Sequence, residues 1–251
     1  NDAQLEITGS KKLTVNGNIT IGNTITATDT VAASDLGFAV TGDVSLKVGN
    51  DSSSVALYLN SGNNQANSVS ILFDTTGTVE LYRAKNAVLF AQKAKVIDFA
   101  LKNGTVIVNT SATGTYSGNN SPLRLGANNW TETVNAVISG GELVINGGAA
   151  SGDGALLNID GAKTDELTAD TASSFVVCGG KVTINNNNTT SKVEAIRLFN
   201  ADIIVQSGSL SAATNAVEGS FLVNALNATE VVKAAEGKKL ITTNPTATSV
   251  V

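Results

Sequence analysis

Apolar and polar residues alternate in short runs along most of the chain. Gly141-Glu142-Leu143-Val144-Ile145-Asn146 is one such run, and Gly104-Thr105-Val106-Ile107-Val108-Asn109 and Gly180-Lys181-Val182-Thr183-Ile184-Asn185 repeat its figure. Looser copies begin at Gly42, Gly77 and Gly208. The shared pattern is Gly-x-apolar-x-apolar-x, the period-2 mark of a strand with one face buried. The inward set is therefore Val106 and Val108, Leu143 and Ile145, Val182 and Ile184.

From about Leu36 the strands fall into groups of three. One group is Val55–Leu59, Val69–Phe73 and Val79–Leu81; the next is Ala87–Phe90, Val96–Leu101 and Val106–Val108. The glycine-led strands are 35, 27, 37, 39 and 28 residues apart from Gly42 to Gly208. A repeat of this length marks a solenoid, whose units bury their apolar faces only by stacking on one another. Three strands per turn predict a parallel β-helix of about six coils, rising roughly 25–30 Å at ~4.8 Å per strand. An antiparallel β-sandwich is the competing architecture. The leading glycines suit corners at positive φ, and Asn109, Asn146 and Asn185 are placed to form a side-chain ladder.

Residues 1–35 read as short strands with tight turns, and Asn16-Gly17 as a hairpin signal, so this stretch is expected to be an N-terminal β cap of hairpins. Residues 36–219 form the expected solenoid. The pattern decays beyond it, and 220–251 is expected to be a C-terminal cap and tail, with a short helical turn over Ala228–Gly237.

Composition narrows the function classes. Hydrophobic residues make up 42% and charged residues 15% of the 251, which argues for a folded chain. Net charge is −5 and the lysines and arginines are scattered, so no basic stripe for nucleic acid is present. The single cysteine, Cys178, allows no disulfide within the chain and reads as a small buried hydrophobe. No apolar run is long enough for a transmembrane helix. The sequence has no methionine, so the chain is expected to be a processed product, consistent with a removed secretion signal.

Ile138-Ser139-Gly140-Gly141-Glu142-Leu143-Val144-Ile145 resembles the Ile-Ser-Gly-Gly-x-Leu-x-Ile repeat of bacterial surface and secreted β-helix proteins, which include carbohydrate-binding and adhesin types. Val177-Cys178-Gly179-Gly180-Lys181-Val182-Thr183-Ile184 is a second copy that departs at Cys178. The resemblance spans about residues 40–215. It implies a right-handed parallel β-helix at the cell surface or outside the cell, and it carries over no catalytic residue. Gly152-Asp153-Gly154 is similar to the Gly-Asp-Gly step of calcium-binding relatives.

With no histidine, a Ser-His-Asp triad, a Cys-His pair and His-ligated zinc are all excluded. Asp153, Asp160 and Asp165, with Glu166 and Asp170 nearby, form the densest acidic cluster and the candidate Ca²⁺ site, since hard cations take carboxylate oxygens. No other cofactor is expected. Trp130 and Tyr116 are the candidate ligand-binding aromatics, each in an expected loop. Arg124 and Arg197 lie between apolar neighbours and read as solvated outward charges that align on one face. The expected protein is a non-enzymatic surface or secreted adhesin or structural scaffold, with polysaccharide or a cell-surface molecule as partner. A polysaccharide lyase or hydrolase, and a self-associating surface-layer or filament subunit, are the alternatives.

Overall fold

Period-2 runs become strands here because stacking is their only means of covering an apolar face. The computed structural model describes residues 3–22, 35–50, 55–60, 66–83, 88–110, 121–126, 131, 133–147, 154–161, 173–186, 193–199, 201–213, 223–225 and 233–234. All regular elements among them are strands. In chain order they are β1 (Ala3–Ile7), β2 (Lys12–Val15), β3 (Ile19–Gly22), β4 (Leu36–Gly42), β5 (Ser45–Asn50), β6 (Leu57–Asn60), β7 (Ala66–Arg83), β8 (Leu89–Gln92) and β9 (Ala94–Thr110). They continue with β10 (Leu123–Gly126), β11 (Thr133–Ile138), β12 (Glu142–Gly147), β13 (Gly154–Asp160), β14 (Ser173–Asn186), β15 (Val193–Phe199), β16 (Ala201–Ala213), β17 (Val223–Ala225) and β18 (Lys233–Ala234).

These strands form two parallel sheets, a large one of twelve strands and a small one of six, the latter in the order β15-β13-β10-β8-β6-β3. This corrects the expected right-handed β-helix with three separate strands per coil. The expected second and third strands fuse into single long strands in β7, β9, β14 and β16. Their ladders continue through the corner by register shifts, at Phe73–Thr78 and at Val177–Lys181. The shorter β11 and β12 both pair with β9 and β14, closing a four-strand circuit. The antiparallel sandwich is overturned as well, since every described pairing is parallel. So is the hairpin at Asn16-Gly17: β2 pairs in parallel with β5 in the large sheet, and β3 with β6 in the small one. Within the expected helical turn, Lys233–Ala234 instead pairs with β16 as a strand.

Glycine lets the corners stay in the ladder. Gly104 has φ 84°, and a Cβ there would lie 2.1 Å from the Thr75 carbonyl oxygen. Gly77 has no positive φ, yet a Cβ would lie 2.2 Å from the Val44 oxygen, so it is needed for space. Bulky residues at either position would lift one layer off the next. Buried Thr75 closes the same corner, accepting from the Val44 N–H at 2.9 Å and donating to the Val44 carbonyl at 2.8 Å. The N–H and the carbonyl of buried Val44 are both matched by this one hydroxyl.

The core is a set of in-register columns. Leu46, Val79, Val106, Leu143, Val182 and Leu210 make one, and Leu57, Leu89, Leu123, Leu157 and Ile196 face it from the small sheet. All are buried, including every inward residue expected from the alternation. Phe38, Phe73 and Phe99 interlock between layers edge to face, with centroids 6.0 and 5.9 Å apart. The asparagine ladder has one described rung, Asn185 Nδ2 donating to Asn146 Oδ1 at 2.8 Å, and Asn109 sits in register with Asn146. Cys178 is half-buried at the β14 bulge.

Candidate functional site

Alternation also fixes what points away from the core. On the small sheet the outward residues Thr20, Tyr58, Phe90, Arg124 and Asn158 occupy successive register positions, one per strand, and Arg197 takes the next position in the register. Each lies between two inward apolar residues, so the core-forming pattern itself aligns them.

The middle of this column is built as a stack. The Tyr58 and Phe90 rings lie 5.5 Å apart at an interplanar angle of 26°. The Arg124 guanidinium carbon sits 4.9 Å from the Phe90 centroid. Phe90 is therefore backed on one face by Tyr58 and on the other by a cation, both favourable for an aromatic quadrupole. The opposite face of the Tyr58 ring looks toward the Thr20 row, where the side chain is short and exposed. Asn18 Nδ2 donates to Thr20 Oγ1 at 2.9 Å, so hydrogen-bonding groups line that step. Gln92 donates through Nε2 to the Tyr58 hydroxyl and holds the ring upright. Burial pushes the Tyr58 phenol above its usual 10.0, against the opposing effects of the Gln92 hydrogen bond and the Arg124 charge. The ring is a neutral phenol across the physiological range.

Arg124 is not a solvated charge. It is 6% exposed and pairs through Nη2 with Asp160 Oδ2 at 3.0 Å, and Asp160 is itself 3% exposed. The correction has a plain cause. The strand directs Arg124 outward, but the outward face of the small sheet is itself buried at this level. A charge there persists only with an opposite charge beside it. Asn158 lies between Arg124 and Arg197 in register, as the alignment of the two arginines anticipates. It is 1% exposed, and neither amide atom has a hydrogen-bond partner. Such a group costs about 1–3 kcal/mol of stability.

Of the candidate ligand- and metal-binding residues Trp130, Tyr116, Asp153, Asp160 and Asp165, Asp160 is the one the structure describes, and its carboxylate is engaged by Arg124. Asp153, Asp165, Trp130 and Tyr116 lie outside the described residues. Among the described residues no group of three or more acidic or cysteine side chains is arranged to hold a metal ion. Tyr58, Phe90, Gln92 and Asn158 were missed. Their signal is present in the sequence: aligning Leu57-Tyr58-Leu59, Leu89-Phe90-Ala91, Leu123-Arg124-Leu125 and Leu157-Asn158-Ile159 writes out the column directly.

The large sheet presents a different outward surface. Lys47 pairs with Glu80 at 3.0 Å and Lys181 with Glu142 at 2.8 Å, each between register neighbours on adjacent strands. Asn135 Nδ2 donates to Asp98 Oδ1 at 3.0 Å and Thr41 Oγ1 to Glu6 Oε1 at 3.1 Å. An open depression of about 180 Å³ lies near β1, lined by Gln4, Glu6, Ala39, Ser70 and Leu72 among others.

Comparison with family models, with curated proteins and with solved structures finds no match. Among the described residues no helix is long and apolar enough to cross a membrane.

Proposed function

We propose that this chain is a non-catalytic, secreted or cell-surface β scaffold that binds neutral carbohydrate at the Tyr58–Thr20 step of the small sheet. One observation carries this: the Tyr58 ring stands upright beside the short Thr20, backed by Phe90 and Arg124. A pyranose has an apolar C–H face that packs on an aromatic ring and a rim of hydroxyls that needs hydrogen-bonding partners. Tyr58 supplies the first; Thr20 and Asn18 supply the second. The Phe90–Arg124 backing preorganises the ring, so little side-chain entropy is lost on binding. Arg124 is matched by Asp160, so the stack carries no net formal charge and favours a neutral sugar over an anionic one.

The test is a binding panel of neutral β-glucan and galactan oligosaccharides alongside uronic-acid oligomers. Wild type binds a neutral member, Tyr58→Ala weakens that binding at least about tenfold, or 1.4 kcal/mol, and Lys47→Ala on the other sheet does not. No binding by wild type, or undiminished binding by Tyr58→Ala, sinks the assignment. Release of new reducing ends during incubation contradicts its non-catalytic part.

A further inference from the structure

Two hydroxyls line the step between Tyr58 and Thr20, and each accepts a hydrogen bond from a side-chain amide. Gln92 Nε2 donates to the Tyr58 hydroxyl, and Asn18 Nδ2 donates to Thr20 Oγ1 at 2.9 Å. A hydroxyl that accepts in this way turns its own proton elsewhere. Among the described residues neither hydroxyl donates to an acceptor of the protein, so both protons face the ligand. Gln92 adds an acceptor. The amide that gives its N–H to Tyr58 keeps Oε1 for another partner, and among the described residues Oε1 makes no other hydrogen bond. The side chain is half-buried, which leaves that oxygen within reach of a ligand.

Position decides which part of a sugar meets these groups. Asn18 precedes β3, whereas Gln92 ends β8 in register with Asn60, beyond Tyr58 along the strand. The two amides therefore bracket the Tyr58 ring along the strand direction. The phenol oxygen lies at the tip of the ring, and Gln92 holds that tip on the far side. A pyranose packed on the ring covers its face. The Tyr58 O–H and Gln92 Oε1 then meet whatever projects past the edge of the sugar. A hydroxyl stops close to the pyranose ring. An acetamido arm reaches further and carries a carbonyl acceptor and an N–H donor, the complement of that pair. Its carbonyl is planar and accepts only, so no hydroxyl rotor is frozen on binding.

We propose that the sugar taken at this step is a 2-acetamido sugar, its amide held by Tyr58 and Gln92. This rests on the carbohydrate reading above and deepens it, naming the sugar class and giving Gln92 a part in choosing it. The test is calorimetric titration of two neutral oligomers of equal length and linkage, one of N-acetylglucosamine and one of glucose, which differ only in the acetamido group. Wild type binds the acetylated oligomer about tenfold more tightly, the contribution of one well-made hydrogen bond. Tyr58→Phe keeps the ring and removes the donor. Gln92→Leu removes the acceptor. Each variant brings the ratio of the two affinities close to one, a readout that a mere loosening of the ring would not move, because stacking is common to both sugars. Far-ultraviolet circular dichroism checks the strand signature, and Tyr58→Phe, which deletes a single oxygen, serves alone if Gln92→Leu does not fold. Equal affinities in wild type, or tighter binding of the glucose oligomer, overturn the inference and leave the carbohydrate reading standing. A preference that survives in the variants overturns the assignment to Tyr58 and Gln92. Binding of neither oligomer overturns the inference, and binding of no neutral sugar at all sinks the carbohydrate reading with it.

Discussion

The outward faces of the two sheets are made by the same alternation and hold opposite kinds of side chain. On the large sheet, Lys47 and Glu80 pair in register on adjacent strands with side chains 54% and 34% exposed. On the small sheet, Arg124 and Asp160 pair with side chains 7% and 4% exposed, beside a stacked Phe90 and Tyr58. The first face is repetitive and solvated, as a stacking scaffold requires. The second varies from strand to strand and carries buried polar groups, which stability alone does not favour. The small sheet therefore departs from the repeat and accepts destabilising groups that the large sheet does not carry.

The largest expected effect separates these two faces directly. Arg124→Met leaves the Asp160 carboxylate buried without its countercharge, at a cost of about 3–5 kcal/mol. Adding Asp160→Leu restores most of that loss, because the uncompensated charge is gone. Lys47→Ala on the large sheet changes stability by less than about 0.5 kcal/mol. Urea unfolding followed by circular dichroism measures all three. Equal losses for Arg124→Met and Lys47→Ala would erase the distinction between the faces.

A smaller effect of opposite sign is expected at Asn158. Its two amide atoms are buried without partners, so Asn158→Leu removes a desolvation cost and raises stability by about 1 kcal/mol. A destabilised Asn158→Leu would mean that the amide is satisfied in solution. The smallest effect concerns Tyr58, whose phenol burial holds above the usual 10.0. A folded pKa raised above the unfolded one makes a contribution to stability that is complete below about pH 10 and lost as pH rises through the folded value. In a phenolate absorbance titration Tyr58 ionises above the usual phenol value, and Tyr58→Phe removes that late phase. A phenolate spectrum unchanged by Tyr58→Phe would show the ring to be solvated.

Much of the scaffold is legible in the sequence because burial follows alternation. The inward residues of the strands led by Gly104, Gly141 and Gly180 can be read off by eye, and so can the register of Asn146 with Asn185. The corners are less legible. Gly77 and Gly104 look like breaks between strands, but a residue without a Cβ also lets two layers approach until the ladder runs through the bend. Composition does not distinguish those outcomes. At residues 3–22 the tight-turn signal at Asn16-Gly17 is real, yet it joins strands of different sheets. Tyr58, Phe90, Arg124 and Asp160 are 32 to 36 residues from their column neighbours or charge partner, so only the register of the stack brings them together. In the sequence the scarce aromatics that stand out are Trp130 and Tyr116, because a ring flanked by two leucines, as at Tyr58, looks like core.

The central claim is that the step between Tyr58 and Thr20 holds a sugar. It is tested most directly by calorimetric titration of the tightest-binding neutral oligosaccharide into wild type, Tyr58→Ala and Thr20→Arg. Thr20 is exposed, so arginine there fills the step without disturbing the core. The account predicts heat of binding for wild type and none for either variant, with unchanged melting of Thr20→Arg. Equal affinity in wild type and Thr20→Arg would contradict it.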